Sequence, residues 1–154
     1  MRKAAYFLII WFILSSGISP LAAGMSKEGW SLKWEDGHSI YFVRNGDKNE
    51  FRIVCGDETV GAELQFLVNG KKPQANSLVT IILDKTNIIM KADGGGIVNT
   101  NCSECADNFA RVLQGVKYSK KTAVWLSDGS QAEFDTLGAR ELLKGTICVT
   151  GFYH

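Results

Sequence analysis

The chain has 154 residues, 45% of them hydrophobic, with 17 basic and 16 acidic side chains. Without Arg2 and Lys3 the balance is 15 basic to 16 acidic, a net charge of −1. That excludes a partner gripped through a phosphate backbone, which needs a basic surface; Lys71-Lys72 and Lys120-Lys121 are pairs in solvated turns, not runs.

Arg2 and Lys3 are followed by an unbroken apolar run of 11 residues, Ala4 to Leu14, and then by Ser15, Ser16, Gly17 and Pro20. Small residues follow at Ala22, Ala23 and Gly24. This is the layout of a cleaved secretory leader over 1–24, and the run is well short of the about 20 residues that span a bilayer. Ala22 and Gly24 set a mature start at Met25, with a cut after Ala23 as the alternative. Residues 25–154 then form a single exported domain, periplasmic or secreted, with no stable membrane span after cleavage.

The mature part reads mainly as strand. Trp30 to Trp34 alternates apolar and polar residues, Asp36-Gly37 supplies a hairpin turn, and Ile40 to Val43 resumes the strand. Asn45-Gly46-Asp47 is a second turn. Phe51 to Cys55 alternates again, with Cys55 on the face of Phe51 and Ile53. Glu63 to Val68 runs into Asn69-Gly70; Leu78 to Leu83 and Asn87 to Lys91 are the next strands. Residues 93–101 form a flexible passage. A helix capped by Ser103 carries an apolar stripe of Ala106, Phe109, Ala110, Val112 and Leu113, and Gly115 ends it. Thr122 to Leu126 and Gln131 to Phe134 form a hairpin, Leu137 to Leu143 a short helix, and Thr146 to Tyr153 a final strand. The fold class is mainly β: an antiparallel β-sandwich or flattened barrel with one or two short helices.

Cys55, Cys102, Cys105 and Cys148 all lie in the mature part, so an exported chain holds them as two disulfides. Three connectivities are open. Pairing Cys55 and Cys148 with the central cysteines ties both ends of the domain to its middle; a Cys102–Cys105 bridge closes a much smaller loop. Cys102-Ser103-Glu104-Cys105 also has the CxxC spacing of a redox dithiol at a helix N-terminus. A structural role is preferred, because the residues before it are Gly- and Asn-rich rather than a strand of a βαβ unit. A zinc site lacks a second close ligand pair: Cys55, Cys148, His38 and His154 are scattered. No metal or cofactor is expected.

Catalytic residues are not expected either. His38 sits in a hairpin turn near Asp36, and His154 is the last residue. Glu133 and Asp135 share a strand face, as a glycosidase pair could, but solvated outer-face carboxylates fit better, and Glu35-Asp36 and Asp57-Glu58 fall in turns. Gly94, Gly95 and Gly96 after Asp93 lack the ending of a phosphate loop and read as a mobile loop at a partner-binding edge. Trp30, Trp34, Tyr41, Phe42, Phe51, Phe66, Trp125, Phe134, Phe152 and Tyr153 are expected mostly in the core. Trp30 and Trp34 share parity; one of them packs inward, with Leu32 on the opposite face, and an exposed member is a contact residue.

Asn108-Phe109 and Val112-Leu113 on the helix, Thr122 to Leu126, Asp128-Gly129, Ala132 to Ala139, Leu142-Leu143 and Cys148 form an arrangement that resembles the invasion-associated locus B family of small exported bacterial proteins. The resemblance covers the C-terminal half. It implies a periplasmic or surface β-rich domain and brings no catalytic residues. The functional expectation is a non-enzymatic binding protein, an envelope accessory or host-interaction factor, whose partner is another protein and not nucleic acid. The alternatives are an inhibitor or immunity protein against a periplasmic toxin or hydrolase, and a thiol–disulfide oxidoreductase using Cys102 and Cys105.

Overall fold

The computed structural model of the chain describes residues 29–56 and 61–152. The leader expected over 1–24, Asp57-Glu58, Tyr153 and His154 lie outside the described residues. Among the described residues, nine strands and two helices follow in order: β1 (Ser31–Glu35), β2 (His38–Arg44), β3 (Glu50–Cys55), β4 (Ala62–Leu67), β5 (Leu78–Leu83), β6 (Thr86–Lys91), β7 (Val98–Asn99), α1 (Ser103–Tyr118), β8 (Lys121–Leu126), β9 (Gln131–Asp135) and α2 (Ala139–Leu142). Every pairing is antiparallel, in two sheets ordered β1-β2-β3-β4-β7 and β6-β5-β8-β9. Two open sheets make this a sandwich rather than a closed barrel.

The turns are set by residues that tolerate a left-handed backbone. Asp36 and Gly37 have φ of 51° and 82°, and Asn69 and Gly70 have 54° and 77°. Both dipeptides thus supply the paired positive φ that matches the twist of a tight hairpin.

Alternation along the strands builds the core. Tyr41, Val43, Phe51, Ile53, Leu64 and Phe66 point inward from one sheet, and Val79, Ile81, Ile88, Met90, Val124 and Phe134 from the other. Phe51, fully buried, is the hub: its ring centroid lies 5.3 Å from Trp30, 4.9 Å from Phe66 and 6.0 Å from Phe134 across the sandwich. Ala106, Phe109, Val112, Leu113 and Val116 bury one stripe of α1, which packs against β5, β6 and α2.

Several boundaries differ from the sequence reading. The N-cap of α1 is Cys102, not Ser103: its backbone is extended, and its Sγ accepts the Cys105 N–H at 3.0 Å. Gly115 does not end α1, which runs one turn further. A Cβ there would lie 2.2 Å from Leu83 Cδ1, so this glycine lets the helix approach β5 closely. Gly138, open around its Cβ position, precedes α2 with a φ of 78°. Behind it α2 has four residues, and Ala139 and Leu143 are fully buried.

The passage 93–101 is hydrogen-bonded rather than free. Asp93 Oδ1 accepts the N–H groups of Gly95 and Ile97, at 2.8 and 2.9 Å, and Val98–Asn99 pairs with β4. The last segment is not a strand among the described residues. It is held one contact at a time: Thr146 Oγ1 to Tyr41 OH at 3.1 Å, Cys148 to Cys55, and Gly151 N–H to Thr100 Oγ1 at 2.9 Å.

Candidate binding surfaces

The two disulfides are Cys55–Cys148 and Cys102–Cys105, the connectivity that leaves the CxxC pair closed on itself. Cys55–Cys148 joins residues 93 apart in sequence and ties the C-terminal segment to the end of β3. A loop of about that size constrains the unfolded chain by roughly 4–5 kcal/mol, and a four-residue loop by about 2 kcal/mol. The short bridge holds Cys102 where its sulfur caps α1; Cys102 is exposed and Cys105 half-buried.

The residues singled out for catalysis do not converge. His38 opens β2, and its buried Nδ1 has no hydrogen-bond partner among the described residues. Glu133 and Asp135 are both exposed on the outer face of β9; Glu133 pairs with Lys121 at 3.6 Å, and Asp135 Oδ1 accepts the Leu137 N–H at 2.7 Å. Among the described residues, no three His, Cys, Asp or Glu side chains cluster closely enough to hold a metal ion.

The expected contact residues part company. Trp30 is 6% exposed, donates its indole N–H to Asp135 O at 3.0 Å, and belongs to the core. Trp34 is 71% exposed on β1, an edge strand. Leu32, half-exposed, does not face the opposite way: it pairs with Tyr41 and Trp34 with Ser39, so period-two alternation puts Trp30, Leu32 and Trp34 on one side. Gly94 and Gly95 are exposed, while Gly96 is buried against the Pro73 carbonyl with a φ of 77°. Gly96 also lines a cavity of about 320 Å³ with Glu50, Arg52, Gln65 and Lys72.

The outward surfaces of the two sheets are unlike each other. On the five-stranded sheet the outer face is a network of charges. Glu50 is buried and accepts from both Arg44 and Arg52, Lys33 pairs with Glu35, and Gln65 donates to Glu63. Arg44 lies over the Phe42 ring, 5.3 Å from its centroid. Burial pushes the Glu50 carboxyl up, but the hydrogen bonds and charges of Arg44 and Arg52 outweigh it and hold the group below its ordinary 4.5. Of the face's apolar members, Ile40 and Val54 are buried and Phe42 and Leu67 half-buried.

The outer face of the four-stranded sheet carries Leu78, Ile89 and Trp125, each at least half exposed. The register puts Ile89, Thr80 and Trp125 side by side across β6, β5 and β8, with Ile82 and Ala123 in the next row. A shallow groove of about 570 Å³ runs over Ile82, Ala123, Trp125 and Glu133. Trp125 was expected among the core aromatics. Its outward position is legible in β8: with Thr122, Val124 and Leu126 buried, Ala123 and Trp125 must point out.

A search against curated proteins and one against solved structures returned no match. The model of one family, YfjT, matches residues 28–143. That match takes in β1 through α2 and both outer faces, and the chain belongs to the YfjT family.

Proposed function

We propose that this chain is an exported protein that binds another protein through the outer face of β6-β5-β8-β9. The observation that carries the reading is the exposure of Leu78, Ile89 and Trp125 together on one open sheet face. A solvated antiparallel sheet normally alternates apolar-in and polar-out. A contiguous exposed apolar patch marks a contact surface, and Trp is the residue most enriched among those that dominate binding energy.

Export is supported by the leader layout of residues 1–24 and by four cysteines in two disulfides, a pattern of oxidising compartments. No helix of the described residues is long and apolar enough to cross a membrane. The resemblance of the C-terminal half to the invasion-associated locus B family points to the same envelope setting. An envelope accessory, a host-interaction factor and an inhibitor of a periplasmic toxin or hydrolase all use such a surface, and the identity of the captured protein chooses among them.

The test is affinity capture from an envelope extract with the wild type and with the double variant Ile89→Glu, Trp125→Glu. One protein retained by the wild type and lost by the variant supports the proposal; equal retention by both refutes it. The exposed Cys102 favours a second reading, thiol–disulfide exchange at the CxxC. Turnover of a dithiol substrate that disappears in Cys102→Ser would establish it.

A further inference from the structure

A second surface differs from the apolar face in chemistry and lies at the C-terminal end of α1. Two grooves, of about 930 and 460 Å³, run along either side of a ridge formed by Gln114 and Tyr118, which line both. Tyr118 is 67% exposed, and the Arg140 guanidinium lies over its ring, 5.5 Å from the centroid. Six basic side chains line the grooves: Lys85, Arg111 and Lys120 on one side, and Lys117, Arg140 and Lys144 on the other.

Two acids line them, Asp84 and Glu141. The Asp84 carboxylate is already engaged by the backbone N–H groups of Lys120 and Lys121, at 3.0 to 3.2 Å. Counting Asp107 as well, one turn before Arg111 on α1, the surface keeps an excess of three positive charges. The whole chain has 17 basic and 16 acidic residues. Leaving out Arg2 and Lys3 of the leader, the remainder holds 9 basic and 13 acidic residues, a net charge of −4. The positive charge is concentrated on one end of a molecule that is negative elsewhere.

From this separation we infer that the grooves beside Tyr118 are a docking site for an acidic polypeptide segment. Attraction between opposite charges falls off over about 8 Å at physiological salt, so what matters is the charge a ligand meets locally. A short acidic segment meets only the positive end. A long nucleic acid or a flat anionic membrane continues past it onto the negative remainder, which opposes binding. The exposed faces of Tyr118, 67% exposed, and of Ile147, 89% exposed, border the grooves, whose floor beside Tyr118 is closed by the buried Leu83 and Ile88. These receive apolar side chains placed between the acids. The site is separate from the outer face of the four-stranded sheet and does not depend on that face having a partner.

The probe is a short fluorescein-labelled peptide of alternating Glu and Leu, followed by anisotropy at about 0.15 M salt. The comparison ligands are its Gln–Leu counterpart, a single-stranded oligodeoxynucleotide and phosphatidylglycerol vesicles. Saturable binding of the Glu peptide is expected, weakening as salt rises. Arg140→Glu with Lys144→Glu should weaken it about tenfold or more, and Lys48→Glu, exposed in the β2–β3 turn and lining neither groove, should leave it unchanged. If the double variant fails to fold, Lys85→Gln with Arg111→Gln puts the same question to the other groove. The inference is overturned if the Glu peptide does not bind, if the oligonucleotide, vesicles or Gln peptide bind as tightly, or if Lys48→Glu weakens binding as much as the groove variants.

Discussion

The outer faces of the two sheets are built by the same antiparallel geometry and carry opposite solutions to the problem of facing water. On the five-stranded sheet, charges are spent on one another: buried Glu50 is satisfied by Arg44 and Arg52, and Phe42 is covered by Arg44. On the four-stranded sheet, Trp125, Ile89 and Leu78 stand in solvent. The first face is complete within the chain, so its residues matter for stability. The second is incomplete within the chain, so its residues matter for what the chain meets.

The largest expected effect belongs to neither face and sets the scale for both. Replacing Cys55 and Cys148 with Ala should cost roughly 4–5 kcal/mol in urea denaturation, and replacing Cys102 and Cys105 about 2 kcal/mol. A reversal of that order would mean that the short bridge, not the long one, holds the fold.

On the charged face, Glu50→Ala leaves Arg44 and Arg52 without their shared acceptor and should cost about 1–3 kcal/mol. Its pH dependence has a definite sign. The Glu50 carboxyl is held lower in the folded chain than its ordinary 4.5, so the folded state binds this proton less readily than the unfolded state. Its contribution is complete above the unfolded value and is lost as pH falls below 4.5 through the folded value. Asp93, lowered first by the Ile97 N–H and further by those of Gly95 and Gly96, adds loss in the same direction below its ordinary 3.8. Glu50→Gln should therefore flatten the acid limb of a stability-against-pH curve; an unchanged slope would remove Glu50 from the explanation.

A smaller effect is expected where α1 meets β5. Gly115→Ala gains up to about 1 kcal/mol of helix propensity but places a methyl against the buried Leu83 side chain, an overpacking cost of about 1–3 kcal/mol. The net expectation is a thermal midpoint a few degrees lower; a higher one would show that Leu83 has room to move.

The smallest stability change is expected on the apolar face. Trp125→Ser and Ile89→Ser should stay within about 0.5 kcal/mol of the wild type. That combination, little lost in stability and much in binding, is what separates the two faces.

Much of the fold was legible because alternation, tight-turn dipeptides and one amphipathic helix speak locally. Asp36-Gly37 and Asn69-Gly70 both turn where they should, and Cys55 does share a face with Phe51 and Ile53. What failed was what depends on neighbours distant in sequence. Gly115 looks like a helix stop unless Leu83 is known to press against it. Residues 146–152 look like a strand, but they cross the end of the sandwich, tied to Tyr41, Cys55 and Thr100 in turn. The pairing of Cys55 with Cys148 could not be chosen from spacing. The apolar face was half-legible: parity in β8 exposes Trp125, whereas β5, apolar nearly throughout, does not reveal which side is covered.

The central claim is that the outer face of β6-β5-β8-β9 is the contact surface, and site-specific photo-crosslinking in intact cells tests it most directly. A photoreactive residue at 125 or at 89 should give an adduct with the same partner protein, while the same residue at 52 or 65, on the charged face, should give none. Adducts from positions 52 and 65 with none from 125 and 89 would contradict it.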